Sequence, residues 1–236
     1  MQKVERTVSE PDRPSQPLVM SLAALTVVSG VVDAVSYLGL GHVFTANMTG
    51  NIVLVGFALA GAPGFSVAAS ATALGAFVAG AVAGGRIGLR IPHKRSLLVT
   101  AVTLEAGFTV AAAVIAASVA VLGVGWPRYT VIALLAFAMG IRNSVVRRMG
   151  VADMTTTVVT TTLTGLAAES SLGGGQNPNA SRRATSVVCM FVGALVGAAF
   201  VVHVHPGAAL GLAAVLTVGL AAYLHLSAPE RLGLAR

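Results

Sequence analysis

The sequence predicts an all-α integral membrane protein with six transmembrane helices and two shorter segments that enter the membrane and return. Three observations predict this class. Of the 236 residues, 56% are apolar and only 10% are charged, with a mean hydropathy of +0.85, whereas soluble domains carry about 25% charged residues. Six apolar runs are each long enough to cross a bilayer, which takes about 20 residues. The fifteen Lys and Arg residues form short clusters between these runs, which indicates topology signals and a lipid bilayer partner, not nucleic acid.

The polar, proline-containing residues 1–17 predict a disordered cytoplasmic tail, and residues 227–236 form a second cytoplasmic tail. The predicted spans between them are 18–40, 65–89, 97–122, 129–149, 184–204 and 207–226. The first span is too long for the apolar region of a signal peptide, and further spans follow it.

Two other stretches are ambiguous. Residues 42–62 open with a polar run, Thr45 to Asn51, before an apolar segment at 52–62 that predicts a short helix. Residues 151–171 contain Asp153, seven threonines and Glu169. The chain therefore has either eight spans, or six spans and two re-entrant segments.

The distribution of basic residues favours six spans. With eight spans and a cytoplasmic amino terminus, eight basic residues lie inside and seven outside, so there is no bias. With two re-entrant segments, fourteen lie inside and only Arg128 lies outside. Because Lys and Arg collect in cytoplasmic loops, we adopt the second topology.

A weak internal repeat relates residues 18–122 to residues 128–226. The matching stretches are 30–33 with 140–143, 48–51 with 159–162, and 75–78 with 193–196, at offsets that drift from 110 to 118. Each copy contains three spans, an odd number, so the second copy must insert upside down. The sequence therefore predicts the inverted 3+3 repeat that is common in transporters.

In this topology, the polar tips of the two re-entrant segments face each other at membrane depth. Non-helical backbone is tolerated there only inside protein or beside a wet cavity. The tips therefore predict a pathway for an unknown small solute or ion, with structural plugs as the alternative. The candidate pathway residues are Asp33, Ser36, Asn47, Thr49, Gly50, Asn51, Asn143, Thr160, Thr161 and Thr162.

Three ionisable residues fall within predicted spans. Glu105 and Arg142 lie at nearly the same depth, which predicts a buried ion pair. Asp33 has no cation at its own level. It is therefore either the coupling site for H⁺ or Na⁺ or a hydrogen-bond acceptor for the backbone of residues 45–51.

The motif at residues 32–38, followed by Phe44 and by Met48-Thr49-Gly50-Asn51, resembles the YoaK-like family of bacterial multi-pass inner-membrane proteins. Residues 136–143 and 192–197 resemble the same family. The second re-entrant segment departs from it, because Thr160-Thr161 stands where a Thr-Gly pair is expected. The resemblance implies the fold and a bacterial cell-membrane location, but it supplies no reaction or substrate.

Other functional classes have weaker support. His42, His203 and His205 all fall on the outer face, but their spacing does not specify a metal site, and no cofactor is expected. The proximity of Asp33, Ser36 and His42 in sequence is the only hint of an intramembrane enzyme, and it specifies no general base or oxyanion site. We therefore expect no enzymatic activity.

Glycines spaced four apart predict close helix packing, within the monomer or in a homodimer. The pairs are Gly80/Gly84, Gly84/Gly88, Gly193/Gly197 and Gly207/Gly211. A third class of function, membrane packing or assembly without a solute, would use these faces.

Overall fold

The computed structural model describes residues 15–118, 125–150, 159–177 and 179–227, and these form helices without strands. Six helices are long and apolar enough to cross a membrane. They are α1 (Gln16–Gly39), α3 (Val67–Arg90), α4 (Lys94–Ser118), α5 (Trp126–Met149), α7 (Ala180–His203) and α8 (Pro206–Leu226). The six predicted spans are thus confirmed, although the predicted end of the third span, at residue 122, lies outside the described residues.

Two short helices lie between the long ones. They are α2 (Met48–Leu59) and α6 (Val159–Ala168), and a single 3-10 turn (Ser171–Gly173) follows α6. The predicted start of the first short helix at Ile52 is wrong, because Asn47 caps a helix that begins at Met48: its side-chain Oδ1 accepts the Gly50 N–H at 3.5 Å. Thr49, Gly50 and Asn51 therefore lie in the first turn of α2 and not in an irregular tip.

Contacts between helix termini define two ends of the bundle. At one end, which we call the His42 end, Arg128 Nη2 at the start of α5 donates to Gly41 O just after α1, at 3.4 Å. At the other, the Arg95 end, Arg95 Nη2 at the start of α4 donates to Leu224 O near the end of α8, at 3.0 Å. Hence α1 and α5 run in opposite directions, and so do α4 and α8.

The helix contacts repeat between the two halves of the chain. The closest pairs are α3 with α5 and α1 with α7. If α1 to α4 are exchanged with α5 to α8, the main contacts between α-helices in the described part of the chain have counterparts: α4–α5 corresponds to α1–α8, α2–α3 to α6–α7, and α3–α4 to α7–α8.

Glycines allow the two closest helix pairs to touch backbone to backbone. A methyl group on Gly193 would collide with the backbone of Val27 in α1, and one on Gly80 would collide with Phe137 in α5. Val27 and Phe137 differ by 110 residues, the offset of the repeat in α1 and α5. Gly80 is therefore the counterpart of Gly193, at an offset of 113, and the predicted match of Gly75 with Gly193 is wrong. Helices of the same chain therefore pack against four of the predicted glycines: α5 against Gly80 and Gly84, and α1 against Gly193 and Gly197.

Candidate functional site

The segment between α1 and α3, residues 40–66, forms what we call the first hairpin. It leaves α1 at Gly41, whose positive φ of 85° is readily adopted only by glycine. It also ends beside its start, since His42 Nδ1 lies 3.0 Å from Gly64 O and the His42 and Phe65 rings are 5.6 Å apart. Both ends of the first hairpin therefore lie at the His42 end of the bundle.

Asp33 holds the middle of the first hairpin against α1. Its Oδ1 accepts the backbone N–H groups of Thr45 at 3.0 Å and Ala46 at 2.7 Å. Because Asp33 precedes the end of α1 by six residues, the hairpin returns along the helix by about 9 Å. The acceptor role is therefore present in the structure, and it uses only one of the two carboxylate oxygens.

A second clasp closes the hairpin at Asn51. The Asn51 side chain is fully buried, and its Oδ1 accepts Phe44 N–H at 2.9 Å while its Nδ2 donates to Phe44 O at 2.6 Å. The Phe44 ring stacks on Tyr37 with a centroid distance of 4.9 Å. The first turn of α2 is thereby linked to α1, because Asn51 bonds Phe44 and the Phe44 ring stacks on Tyr37 of α1.

Ser36 and Thr45 add two hydroxyls beside Asp33. Ser36 Oγ donates to the Asp33 carbonyl oxygen at 3.1 Å, and Thr45 Oγ1 donates to Ser36 Oγ at 3.5 Å. Both side chains are fully buried. The sequence had indicated Ser36 and had offered the backbone of residues 45–51 as donors to Asp33, but it had not indicated the Thr45 hydroxyl.

The predicted pair of Glu105 and Arg142 is present. Arg142 Nη1 lies 2.8 Å from Glu105 Oε1, and both side chains are fully buried. The same guanidinium donates to Leu25 O at 3.2 Å and to Ser29 Oγ on α1. Ser29 was missed at the sequence level, although its spacing of four from Asp33 places both on one face of α1.

Several buried polar atoms in this region have no hydrogen-bond partner among the described residues. They are Asp33 Oδ2, Glu105 Oε2, Thr109 Oγ1 and Arg142 Nε. Arg142 bonds Glu105 and Ser29, Thr109 is one turn from Glu105 on α4, and Asp33 is one turn from Ser29 on α1. We call Ser29, Asp33, Glu105, Thr109 and Arg142 the polar core. A buried polar atom without a partner costs about 1–3 kcal/mol, and more if it is charged.

The other predicted pathway residues are less centrally placed. Asn47 is half-buried and Thr49 is exposed, as are Thr160 and Thr161, while Thr162 is buried in the first turn of α6. Asn143 lies half-buried on α5, next to Arg142. The structure therefore brings Ser36 next to Asp33, and it places Asn51 on Phe44, the residue before Thr45. The rest of the second tip, residues 151–158, lies outside the described residues.

The remaining candidates do not assemble into a chemical site. His42 contacts Gly64, and His205 Nδ1 accepts the Gly207 N–H at 3.0 Å, capping α8. Over the described residues, no group of three or more His, Cys, Asp or Glu side chains could hold a metal ion.

The chain matches known sequences over most of its length. Residues 21–223 match the family model described as "Protein of unknown function (DUF1275)". Over 146 residues the chain is 36% identical to the UPF0700 transmembrane protein YoaK of Bacillus subtilis (strain 168), an alignment that covers 61% of this chain and 64% of that protein. No solved structure matches. The span of the family match shows that the chain belongs to the DUF1275 family of proteins of unknown function.

Proposed function

We propose that the protein conducts a small solute or ion across the bacterial cell membrane, along the face of α1 that bears the polar core. The observation that carries this proposal is the group of four buried, unpartnered polar atoms at membrane depth. Lipid cannot satisfy such atoms, whereas water or a passing polar solute can.

The helix arrangement supports this proposal. The first hairpin enters and leaves at the His42 end, and α6 lies at the opposite end, where Arg183 at the start of α7 pairs with Glu169 at 2.8 Å. Two short helices approaching from opposite ends, with halves related by a repeated contact pattern, are typical of inverted-repeat transporters.

The charges support one orientation in the membrane. Among the described residues, Arg128 is the one Lys or Arg at the His42 end. Eight lie at the Arg95 end: Arg86, Arg90, Lys94, Arg95, Arg147, Arg148, Arg182 and Arg183. By the positive-inside rule, we infer that the Arg95 end and both chain termini are cytoplasmic.

We propose no catalytic step. Ser36 Oγ is bonded to the Asp33 carbonyl oxygen, and His42 is bonded to Gly64 O at the end of the bundle. Neither arrangement supplies the nucleophile and base pair that an intramembrane hydrolase needs.

Cysteine accessibility tests the pathway without knowledge of the solute. In a Cys189→Ser background, Ser36→Cys places a thiol next to Asp33 of the polar core, whereas Val35→Cys places one at an equally buried apolar position one residue away. A small, water-soluble methanethiosulfonate should label Ser36→Cys in membranes at least about tenfold faster, because thiols react as thiolates in water. Equal inertness of the two positions would instead favour packing or assembly without a solute.

A further inference from the structure

The polar core contains an unbalanced charge. Asp33, Glu105 and Arg142 are 4%, 0% and 0% exposed. Two carboxylates and one guanidinium carry a formal charge of −1 when all are ionised. A buried charge is tolerated only when it is paired, so this core needs one additional positive charge.

The hydrogen bonds assign the missing charge to Asp33. Arg142 is committed to Glu105, Ser29 and Leu25 O. Asp33 Oδ2 and Glu105 Oε2 both lack a partner among the described residues, but Glu105 is paired with a guanidinium through its other oxygen, whereas Asp33 Oδ1 accepts only two neutral N–H groups of the hairpin.

Two further oxygens with lone pairs available lie close to Asp33: Ser36 Oγ is 3.1 Å from the Asp33 carbonyl oxygen, and Thr45 Oγ1 is 3.5 Å from Ser36 Oγ. The Ser36 hydroxyl hydrogen is directed to the Asp33 carbonyl, and the Thr45 hydroxyl hydrogen is directed to Ser36. Both hydroxyl oxygens can therefore accept or coordinate, and oxygen ligands suit hard cations. A divalent ion would change the core charge from −1 to +1, so the balance favours a monovalent one.

We propose that Asp33 Oδ2, with the hydroxyls of Ser36 and Thr45, binds one monovalent positive charge, supplied by Na⁺ or by a proton. Na⁺ would be coordinated by the three oxygens. A proton would reside on Oδ2 and leave Asp33 neutral. The inference rests on the proposed function for its purpose, because an ion bound on the pathway couples solute movement to an ion gradient.

Few other titratable groups face this site. Arg142 approaches from α5 through Ser29, and Cys189 lies one turn before Gly193 on the side of α7 that packs on α1. In the first hairpin, His42 is at the far end beside Gly64. The α8 helix has no titratable side chain between Pro206 and Tyr223.

The test uses Asp33→Asn, purified as the full chain in detergent micelles. Asn keeps an Oδ1 that can accept the Thr45 and Ala46 N–H groups. The variant therefore removes the charge but keeps the two hydrogen bonds that hold the first hairpin against α1. Asn is also the residue at the equivalent position of the second half, Asn143. Ser21→Ala is the matched control, since Ser21 is a buried hydroxyl on α1 that bonds Pro17 O.

We expect one radioactive ²²Na⁺ bound per wild-type chain, and a Tm that rises by about 5–10 °C in NaCl at a hundredfold excess over Kd, compared with choline chloride. Asp33→Asn should lose both effects and Ser21→Ala should keep them. If the proton is the occupant, Na⁺ has no effect, but the pH dependence of Tm in the wild type is lost in Asp33→Asn.

The proposal is overturned if wild type and Asp33→Asn respond equally to Na⁺ and to pH. Should Asp33→Asn fail to fold, Ser36→Ala is the second variant, because it keeps the hydrogen bonds of Asp33 to Thr45 and Ala46. It should lower the Na⁺ affinity or shift the pH at which Tm changes. An unchanged response of Ser36→Ala to both Na⁺ and pH would also overturn the proposal. Because binding in micelles requires no transport, its failure is separate from failed labelling of Ser36→Cys.

Discussion

Arg142 joins three helices through one guanidinium, because its nitrogens reach Glu105 on α4 and both Ser29 and Leu25 O on α1. Desolvating a guanidinium and a carboxylate is expensive, and their mutual attraction offsets that cost only while both are present. Removal of either partner therefore leaves the other charge buried without its hydrogen-bonded counter-ion.

Replacement of Glu105 by Leu should lower the free energy of unfolding by about 3–5 kcal/mol. The double variant Glu105→Leu/Arg142→Met removes both charges and should recover much of that loss. Reversible unfolding in mixed micelles, read as a double-mutant cycle, measures the coupling. Simple additivity of the two single losses would show that the pair does not act as a unit.

The sequence predicted this ion pair from helix depth alone, since both charges needed a partner inside the membrane. It did not predict Ser29 as the third member, because a serine hydroxyl in a helix usually bonds the preceding turn. Ser29 Oγ does so, donating to Leu25 O at 3.0 Å, and it also accepts a hydrogen bond from Arg142. The usable signal was the spacing of Ser29, Asp33 and Ser36 along one face of α1.

At the level of elements, glycine determines which helices can touch. Gly193 packs on Val27 and Gly80 on Phe137, whereas Gly211 and Gly75 have no atom near the position where a Cβ would lie. Sequence spacing alone could not separate these cases, because two glycines four residues apart identify one face of a helix but not the helix that packs against it. The wrong repeat match at Gly75 has the same cause.

Gly193→Ala and Gly80→Ala should each lower the free energy of unfolding by about 1–3 kcal/mol, because a methyl group must push two backbones apart. Gly211→Ala and Gly75→Ala are matched controls. They should be neutral or stabilising, since alanine favours helix by up to about 1 kcal/mol over glycine. Unfolding in mixed micelles measures all four variants, and equal losses in both sets would rule out packing as the reason for the glycines.

The first hairpin shows where hydropathy stops being informative. Thr49, Gly50 and Asn51 indicated irregular backbone because they are polar, yet they form the first turn of α2. The Asn47 cap and the Asn51 clasp on Phe44 supply hydrogen bonds within the segment itself. Asn is a preferred N-cap residue, so the usable signal for the start of α2 was Asn47, which apolar periodicity does not register.

At the scale of the whole molecule, six long helices and the sorting of basic residues to one end were predictable, because both follow from the cost of placing charge and open backbone in lipid. The six-span topology makes a specific statement about two loops. His42 and Ala62 flank α2 on the same side of the membrane, and His93 lies on the other side with Leu172, which is 99% exposed.

Labelling of single cysteines with a membrane-impermeant maleimide, in the Cys189→Ser background, tests that statement. Cysteines at positions 42 and 62 should react in intact cells, whereas those at 93 and 172 should react only in inverted vesicles. Eight spans would exchange the results for 62 and 93 and leave 42 and 172 unchanged. Position 62 is therefore decisive, because the chain returns to the His42 end only if α2 does not cross the membrane, and the contact between His42 and Gly64 requires that return.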